Sequence, residues 1–446
     1  MTPVCGHDAP PYGPPLCAHI RSSRAKVLDH YTWYTGAGTN SARICGDCRA
    51  LVDSGAVAAV EQVCEDCFDD TEGDLLGAAG RPEVLDRPRE FDRRVVATPV
   101  PPALGPAEDL APVAAAGVTW LVLCADGRIV RWNCDTGEWA EEARTTVEVP
   151  ADAEPYCGRA PSRRLIASAD GRFAAVVVDH ANQGEVFDLS TGAVTLTLDG
   201  GTYHNDTVPF SAAFAGHDGR TVLIHRTEWN RLDLSDPATG ELLTAREFEP
   251  GEDPRSERVL DYFHGGLTVS PTGVRIADDG WVWAPVGVVT AWNLRDWVAG
   301  NPFESEDGPS RTELPGCLYH WNRPVVWLDD DRLVVGGIGE DDYEIVGGAR
   351  IFDVGGAGSR PAGHRPAPVA PEVMTFGGPE GRFFAAGGLL FSSDSAGLKI
   401  WDPADGSRLG AVEGFSPTHH HPAAGELVAL TDEHLLLRWR LPLDRV

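Results

Sequence analysis

Seven times between residues 129 and 443, an apolar run closes on a bulky residue. In six of the seven, Asp or Asn follows. The instances are "IVRWNCDTG" (Trp132, Asn133), "EVFDLSTG" (Phe187, Asp188), "RLDLSDPATG" (Leu232, Asp233), "VTAWNLRDW" (Trp292, Asn293), "ARIFDVGGAG" (Phe352, Asp353), "LKIWDPADG" (Trp401, Asp402) and "LLRWRLPL" (Trp439, Arg440). The bulky residues are 55, 45, 60, 60, 49 and 38 positions apart. Between them, short alternating apolar segments meet at Asp-Gly or Pro-x-Gly turns, as in "LVLCADGRIVRW", "LIASADGRFAAVVV", "FAGHDGRTVLIH", "LTVSPTGVRIA" and "FGGPEGRFFAAGG". Such turns join strands into hairpins, and each unit is expected to open on one. Units of this length with roughly four strands each predict a mainly β fold, a β-propeller. Seven repeats predict seven blades, with six or eight as alternatives.

The Trp-Asp and Trp-Asn strand ends, with "SPTG" and "ADGR" turns upstream, resemble the WD40-repeat family of seven-bladed propellers. The resemblance covers roughly residues 93–446. It departs from the family in the uneven repeat lengths and in the early Gly-His pair, which is mostly missing; Gly216-His217 is one instance, in a turn position. It implies that a strand near Arg93 to Val100 completes the last blade and hides its edge. Each repeat Trp is expected to pack between blades, and the following Asp or Asn to accept hydrogen bonds in the next turn.

Before the propeller, ligand-type residues come in four pairs: Cys5/His7, Cys17/His19, Cys45/Cys48 and Cys64/Cys67. Thiolate and imidazole suit zinc, and short spacings let one turn aim two side chains at one ion. Eight ligands predict two tetrahedral Zn2+ sites, structural because no coordination position is left open. Sequential pairing would give one site of two cysteines and two histidines, and one of four cysteines. A cross-brace, as in RING-like modules, would give two sites of three cysteines and one histidine each. A small α+β module is expected over residues 1–80, with a short helix between Cys48 and Cys64. Residues 81–112, rich in Pro and mixed charge, read as a linker that could supply the closing strand. The propeller is expected over 113–446.

The formal net charge of -30 repels phosphate backbones and anionic lipid. From Arg43 to Asp74 nine acidic residues face two basic ones, so the zinc module is a poor nucleic-acid reader. Neither nucleic acid nor membrane is expected as a partner; a protein or peptide, a basic one above all, is. Only Lys26 and Lys399 are lysines, a bias read as genomic and bacterial in character. The start "MTPVCGHDAP" lacks a secretory pattern, and no apolar run approaches a membrane span. A cytoplasmic location, where thiols stay reduced, is expected.

No P-loop, G-x-S-x-G or H-E-x-x-H motif occurs, so no catalytic or cofactor-binding residue is assigned and no enzyme is expected. His419, His420 and His421 read as a solvated turn rather than a metal site. Asp329, Asp330 and Asp331 read as an acidic loop lacking the spacing of a calcium site. Trp281 and Trp283 fall on one side of a strand, and core packing is favoured over an exposed patch. Cys124, Cys134, Cys157 and Cys317 read as buried small hydrophobes. The expected function is a non-enzymatic scaffold for protein–protein interaction. The alternatives are an enzyme or small-ligand site at the central channel, marked by convergent charged side chains at its mouth, and nucleic-acid binding by the zinc module.

Overall fold

The computed structural model describes residues 12–21, 31–34, 41–44, 48, 51, 60–63, 84–151, 155–156, 159–246, 260–283, 285–356 and 367–442. The chain forms two compact units, Met1–Glu83 and Val84–Val446.

In the first unit, β1 (Tyr12–Cys17) leads into a helical turn α1 (Ala18–Arg21). Strands β2 (Tyr31–Tyr34), β3 (Ser41–Ile44) and β4 (Val60–Val63) follow. The sheet order is β2-β3-β1-β4. β1 runs parallel to β3, with Leu16 opposite Arg43, and antiparallel to β4, with Cys17 opposite Val60 and Tyr12 opposite Val63. The helix expected up to Cys64 therefore does not reach it. "VEQV" is a strand, its β-branched ends suited to an extended backbone.

The second unit is a seven-bladed propeller. Its first described strand, β5 (Val96–Pro99), belongs to the last blade. Blade 1 is β6 (Ala107–Val113), β7 (Thr119–Cys124), β8 (Arg128–Asn133) and β9 (Trp139–Arg144). Blade 2 is β10 (Ser162–Ala167), β11 (Phe173–Asp179), β12 (Gln183–Asp188) and β13 (Ala193–Asp199). Blade 3 has β14 (Ala212–His217), β15 (Arg220–Glu228) and β16 (Arg231–Ser235), and among the described residues a Ser235–Leu242 bridge stands beside β16. Blade 4 has β17 (Phe263–Val269), β18 (Arg275–Val282) and β19 (Val286–Asn293). Two short helices, α2 (Leu294–Ala299) and α3 (Glu304–Asp307), then precede its split outer strand, β20 (Thr312–Glu313) and β21 (Cys317–Leu318). Blade 5 is β22 (Val325–Trp327), β23 (Arg332–Ile338), β24 (Val346–Asp353) and β25 (Glu372–Gly377). Blade 6 is β26 (Arg382–Ala386), β27 (Leu389–Asp394), β28 (Gly397–Asp402) and β29 (Ser407–Glu413). Blade 7 is β30 (His419–His421), β31 (Glu426–Leu430), β32 (Leu435–Arg440) and, antiparallel to β32, β5.

Residues 84–112 lie on the propeller. Asp86 bridges to Arg408 on β29, the Trp439 indole N–H donates to Asp92 O at 2.7 Å, and Phe91 packs in the seam between blades 6 and 7. β6, which begins at Ala107, is already the innermost strand of blade 1.

The seven blade-to-blade seams each hold an apolar cluster. The repeat residues fill them. Trp132, Phe187, Trp292, Phe352, Trp401 and Trp439 end the third strands of their blades, are all buried, and each faces the preceding blade. In the first five of these the Asp or Asn that follows caps the next turn. Asn133 Oδ1 accepts from Asp135 N at 2.9 Å, Asp353 Oδ1 from Gly355 N at 3.0 Å, and Asn293 caps α2.

Blade 3 breaks the expected register. Asp236, not Asp233, accepts the turn bond from Ala238 N at 2.7 Å, and Leu232 packs toward the following blade. The equivalent of the repeat Trp is therefore Ser235, three positions on. An odd offset on a strand swaps its faces, which turns Asp233 inward. The seam between blades 2 and 3 is filled instead by Phe210, with the Arg226 guanidinium stacked 5.0 Å from its centroid.

The look-alike turns also differ in place. "ASADGR", "GHDGR" and "SPTG" join first to second strands, "CADGR" joins second to third, and "GGPEGR" connects blade 5 to blade 6. Asp-Gly and Pro-x-Gly serve any tight reversal, so their sequence alone does not say which.

Candidate functional site

Strands alternate in direction through each blade. The connections into the innermost strands and the hairpins joining second to third strands therefore share one face of the ring, called here the upper face.

The central channel has two chambers. The lower, about 500 Å3, takes lining residues from the innermost strand of every blade, mostly small and apolar: Val113, Ala167, Phe214, Val269, Val326 and Ala385. The three consecutive histidines lie on β30, not in a turn, and diverge. His421 Nε2 bonds to Thr119 O at 2.9 Å, His420 borders the lower chamber, and His419 lines the upper. Burial pushes His420 down to about 4, so it is neutral near pH 7.

The upper chamber, about 840 Å3, carries charge. Most of that charge is committed to bracing blades 7, 1 and 2. Arg164 holds Asp179 through two bonds of 2.7 and 2.9 Å, and Arg163 pairs with Glu108 at 2.7 Å. Asp109 accepts from Leu165 N at 2.7 Å and pairs with His419 Nε2 at 2.8 Å. The other His419 nitrogen meets Thr418 Oγ1 at 2.8 Å. The result is a hydrogen-bonded row, Asp109–His419–Thr418.

The upper face over blades 3 to 5 carries an aromatic platform. Trp281 is 3 % exposed, while Trp283, on the same side of the chain, is 46 % exposed. Their rings meet edge-on at 5.1 Å. Trp281 stacks on Phe263 at 4.0 Å and on Trp321 at 5.1 Å. Tyr203, 48 % exposed, lies over Trp229 and Phe263. Tyr319, 57 % exposed, donates its N–H to Pro285 O beside the Trp283 hairpin. Trp281 and Trp321 donate their indole N–H groups to Thr207 Oγ1 and Thr207 O, which pins the loop carrying Tyr203 and His204. Three residues around it, His204, Tyr319 and Asn322, have φ of 49°, 53° and 58°. For a Tyr this left-handed backbone is strained, and such strain gathers at binding loops. Exposed Asp206, Glu228 and Asp261 stand on the same loops. Of this platform, the sequence marked only Trp281 and Trp283; Tyr203, Trp229, Phe263, Tyr319 and Trp321 come from distant loops with no shared motif.

The acidic triplet is used in turns and seams. Asp329 Oδ1 accepts from Asp331 N and Arg332 N, and Asp330 accepts from Thr272 N and Oγ1 of blade 4. Cys124, Cys134 and Cys317 are buried, and burial pushes the Cys134 thiol up to about 12. Cys157 lies outside the described residues.

Of the eight predicted zinc ligands, Cys17, His19 and Cys48 are described; Cys5, His7, Cys45, Cys64 and Cys67 lie outside the described residues. The Sγ and ring-nitrogen atoms of the three lie within 4.8 Å of one another, with Cys48 Sγ 3.3 Å from His19 Nδ1. Zinc bonds of about 2.3 Å to sulfur and about 2.0 Å to nitrogen put tetrahedral ligand atoms about 3.5–4 Å apart. The group fits such an ion with small shifts.

No protein-family model and no curated protein matches the chain. Among solved structures, a chain of the crystal structure of the mitotic checkpoint complex is similar, with a TM-score of 0.46 and 15% identity, covering 81% of this chain and 97% of that one. The β-propeller domain of Myceliophteria thermophila Cps50 (Swd1) is also similar, with a TM-score of 0.46 and 14% identity, covering 76% and 97%. Among the described residues, no helix is long and apolar enough to cross a membrane.

Proposed function

We propose that this chain is a non-enzymatic interaction scaffold whose propeller binds a basic protein segment on its upper face, with zinc holding the N-terminal module folded. The aromatic platform carries this reading. Exposed large aromatic rings on a rigid base are what interface hot spots use. Its exposed neighbours Asp206, Glu228 and Asp261, in a chain of net charge -30, favour a cation stacked on Trp283 or Tyr203. The test is affinity capture on immobilised wild type and on a Trp283→Ala/Tyr203→Ala variant. A basic partner enriched on wild type, released by raised salt and recovered at least tenfold less on the variant is expected. Equal recovery on both, with equal melting temperatures, would sink the reading.

One observation favours a second reading, a small-ligand or catalytic site at the channel mouth. The order Asp109–His419–Thr418 is that of a carboxylate, a base and a hydroxyl it could activate, and Thr418 opens onto the 840 Å3 chamber. On this reading an ester-mimicking phosphonate labels Thr418, and His419→Ala abolishes the label. Absence of labelling together with no turnover across an ester panel ends it.

A further inference from the structure

The two chambers of the channel differ in kind. The upper one is walled by ion pairs, whereas no Asp, Glu, Lys or Arg lines the lower one. Its polar side chains are Thr268, Ser270, Trp327, His420 and His421, set among small apolar residues. Burial holds both histidine rings below their ordinary value, so neither brings a charge at neutral pH. Pro112, Pro271 and Pro422 also line the chamber, and each withholds a backbone N–H.

Most of the polar groups are used within the wall. The Trp327 indole N–H donates to Thr268 O at 3.1 Å, Ser270 Oγ accepts from Arg275 N at 3.1 Å, and His421 Nε2 meets Thr119 O at 2.9 Å. Ala114 N donates to Ala169 O at 3.0 Å and ties blade 1 to blade 2 at the rim. The cavity is thus held open by its own bonds, before anything enters it. Two lining side chains have no hydrogen-bond partner among the described residues: the Thr268 hydroxyl on β17 and the His420 ring on β30. They belong to blades 4 and 7, three places apart in a ring of seven, so they stand on opposite walls. Nε2 of His420 is sealed from solvent, which leaves Nδ1 as the nitrogen open to the chamber. The ring itself rests edge-on against Phe384, with centroids 6.4 Å apart.

We propose that the lower chamber is a binding site for a neutral, largely apolar organic molecule that carries a hydrogen-bonding group, the class of phenols and indoles, with His420 as its polar anchor. At about 500 Å3 the chamber has the size of a small-molecule site, and such sites pair an apolar wall with a few polar groups. A neutral imidazole can donate or accept, so a hydroxyl or a ring N–H satisfies it. An ion would lose its hydration and find no opposite charge, which excludes charged ligands. This site lies apart from the aromatic platform and from the Asp109–His419–Thr418 row, so its failure leaves the readings above standing.

The test is fluorine NMR of the full chain at pH 7 with 4-fluorophenol, and with 4-fluorobenzoate and 4-fluorobenzylammonium as charged counterparts. Saturable binding of the phenol, at least about tenfold tighter than of either ion, is expected. Ala385→Phe, which fills the chamber from blade 6, should abolish it, and His420→Leu should weaken it about tenfold. Trp283→Ala/Tyr203→Ala should leave it unchanged. Melting temperatures show whether each variant folds; if Ala385→Phe does not, Ala167→Phe fills the chamber from blade 2 instead. No saturable binding, equal affinity for the three probes, or binding that survives both the filled chamber and the loss of the His420 ring overturns the proposal. So does binding that disappears with the platform variant.

Discussion

A chain starting at Val84 is expected to unfold cooperatively at the temperature of the propeller in the full protein, and one starting at Pro101 is expected to lose that transition and aggregate. The two differ by seventeen residues, whose contacts are spread over blades 6 and 7. β5 pairs with β32 from Val96 opposite Arg438 to Pro99 opposite Leu435. Val100 N–H adds a bond to His434 O, and Arg89 N–H one to Leu409 O. At about 1 kcal/mol net for each hydrogen bond, with the burial of Phe91 and Val95 added, the loss reaches several kcal/mol. That rivals the whole stability of a typical domain. It also leaves β32 as an open edge in what was a closed ring, a template for pairing with other chains. Thermal unfolding and light scattering of the two truncations check this. Equal transitions would show that the ring closes without β5.

Arg246→Met is expected to cost about 3–5 kcal/mol, the largest effect of any single substitution here, because it strands buried Glu306 and takes one of two cations from buried Asp233. Arg246 is itself buried and ion-paired to both Asp233 and Glu306. It also donates to Leu232 O at 3.0 Å, tying the last blade 3 strand to α3 of blade 4. Burial alone would raise the Asp233 carboxyl, but Arg246, Thr227 and Arg231 hold it below its ordinary value. At Glu306 burial wins over Arg246, and the carboxyl is pushed up. Without the guanidinium nothing of that size offsets burial at Glu306, whose carboxyl rises further, while Asp233 keeps Arg231 and Thr227. A raised folded pKa means stability that is present below the unfolded value and lost as pH rises through the folded one. The deficit of the variant should therefore be larger at pH 8 than at pH 5. Adding Asp233→Asn and Glu306→Gln should recover part of it at pH 8. Urea titrations at both pH values measure this, and a loss that does not change with pH would assign the damage to packing alone.

The propeller was legible because its seams repeat one demand. A large residue ends the third strand in six of the seven blades, and six of the seven positions picked out by the sequence pattern are those residues. Blade 3 was misread because Leu232-Asp233 imitates the pattern three residues early, and only the sheet reveals which face each residue takes. The turns could be found but not placed, since a hairpin turn has the same chemistry wherever it falls. Residues 84–112 look like a linker by their prolines and charges, yet Arg87, Arg89 and Phe91 reach the outer edge of the ring. The aromatic platform was almost silent. Tyr203, Trp229, Trp283 and Trp321 sit on four loops that only ring geometry gathers. The metal ligands were legible as types and spacings, whereas the meeting of Cys48 with Cys17 and His19 depends on a fold that no local pattern announces.

The pairing of β5 with β32 joins residues about 340 positions apart. Closing a loop of that length costs about 5 kcal/mol of chain entropy before its contacts repay it. It also sets an order of events during synthesis. Blades 1 to 6 can form as they leave the ribosome, but β5 emerges early and has no partner until the final blade is made. For most of its birth this protein is an unclosed arc, with Val96–Pro99 free to pair wrongly. A chaperone that shields this strand, or slow translation of the last blade, would bear on the yield of folded protein more than on its stability once made.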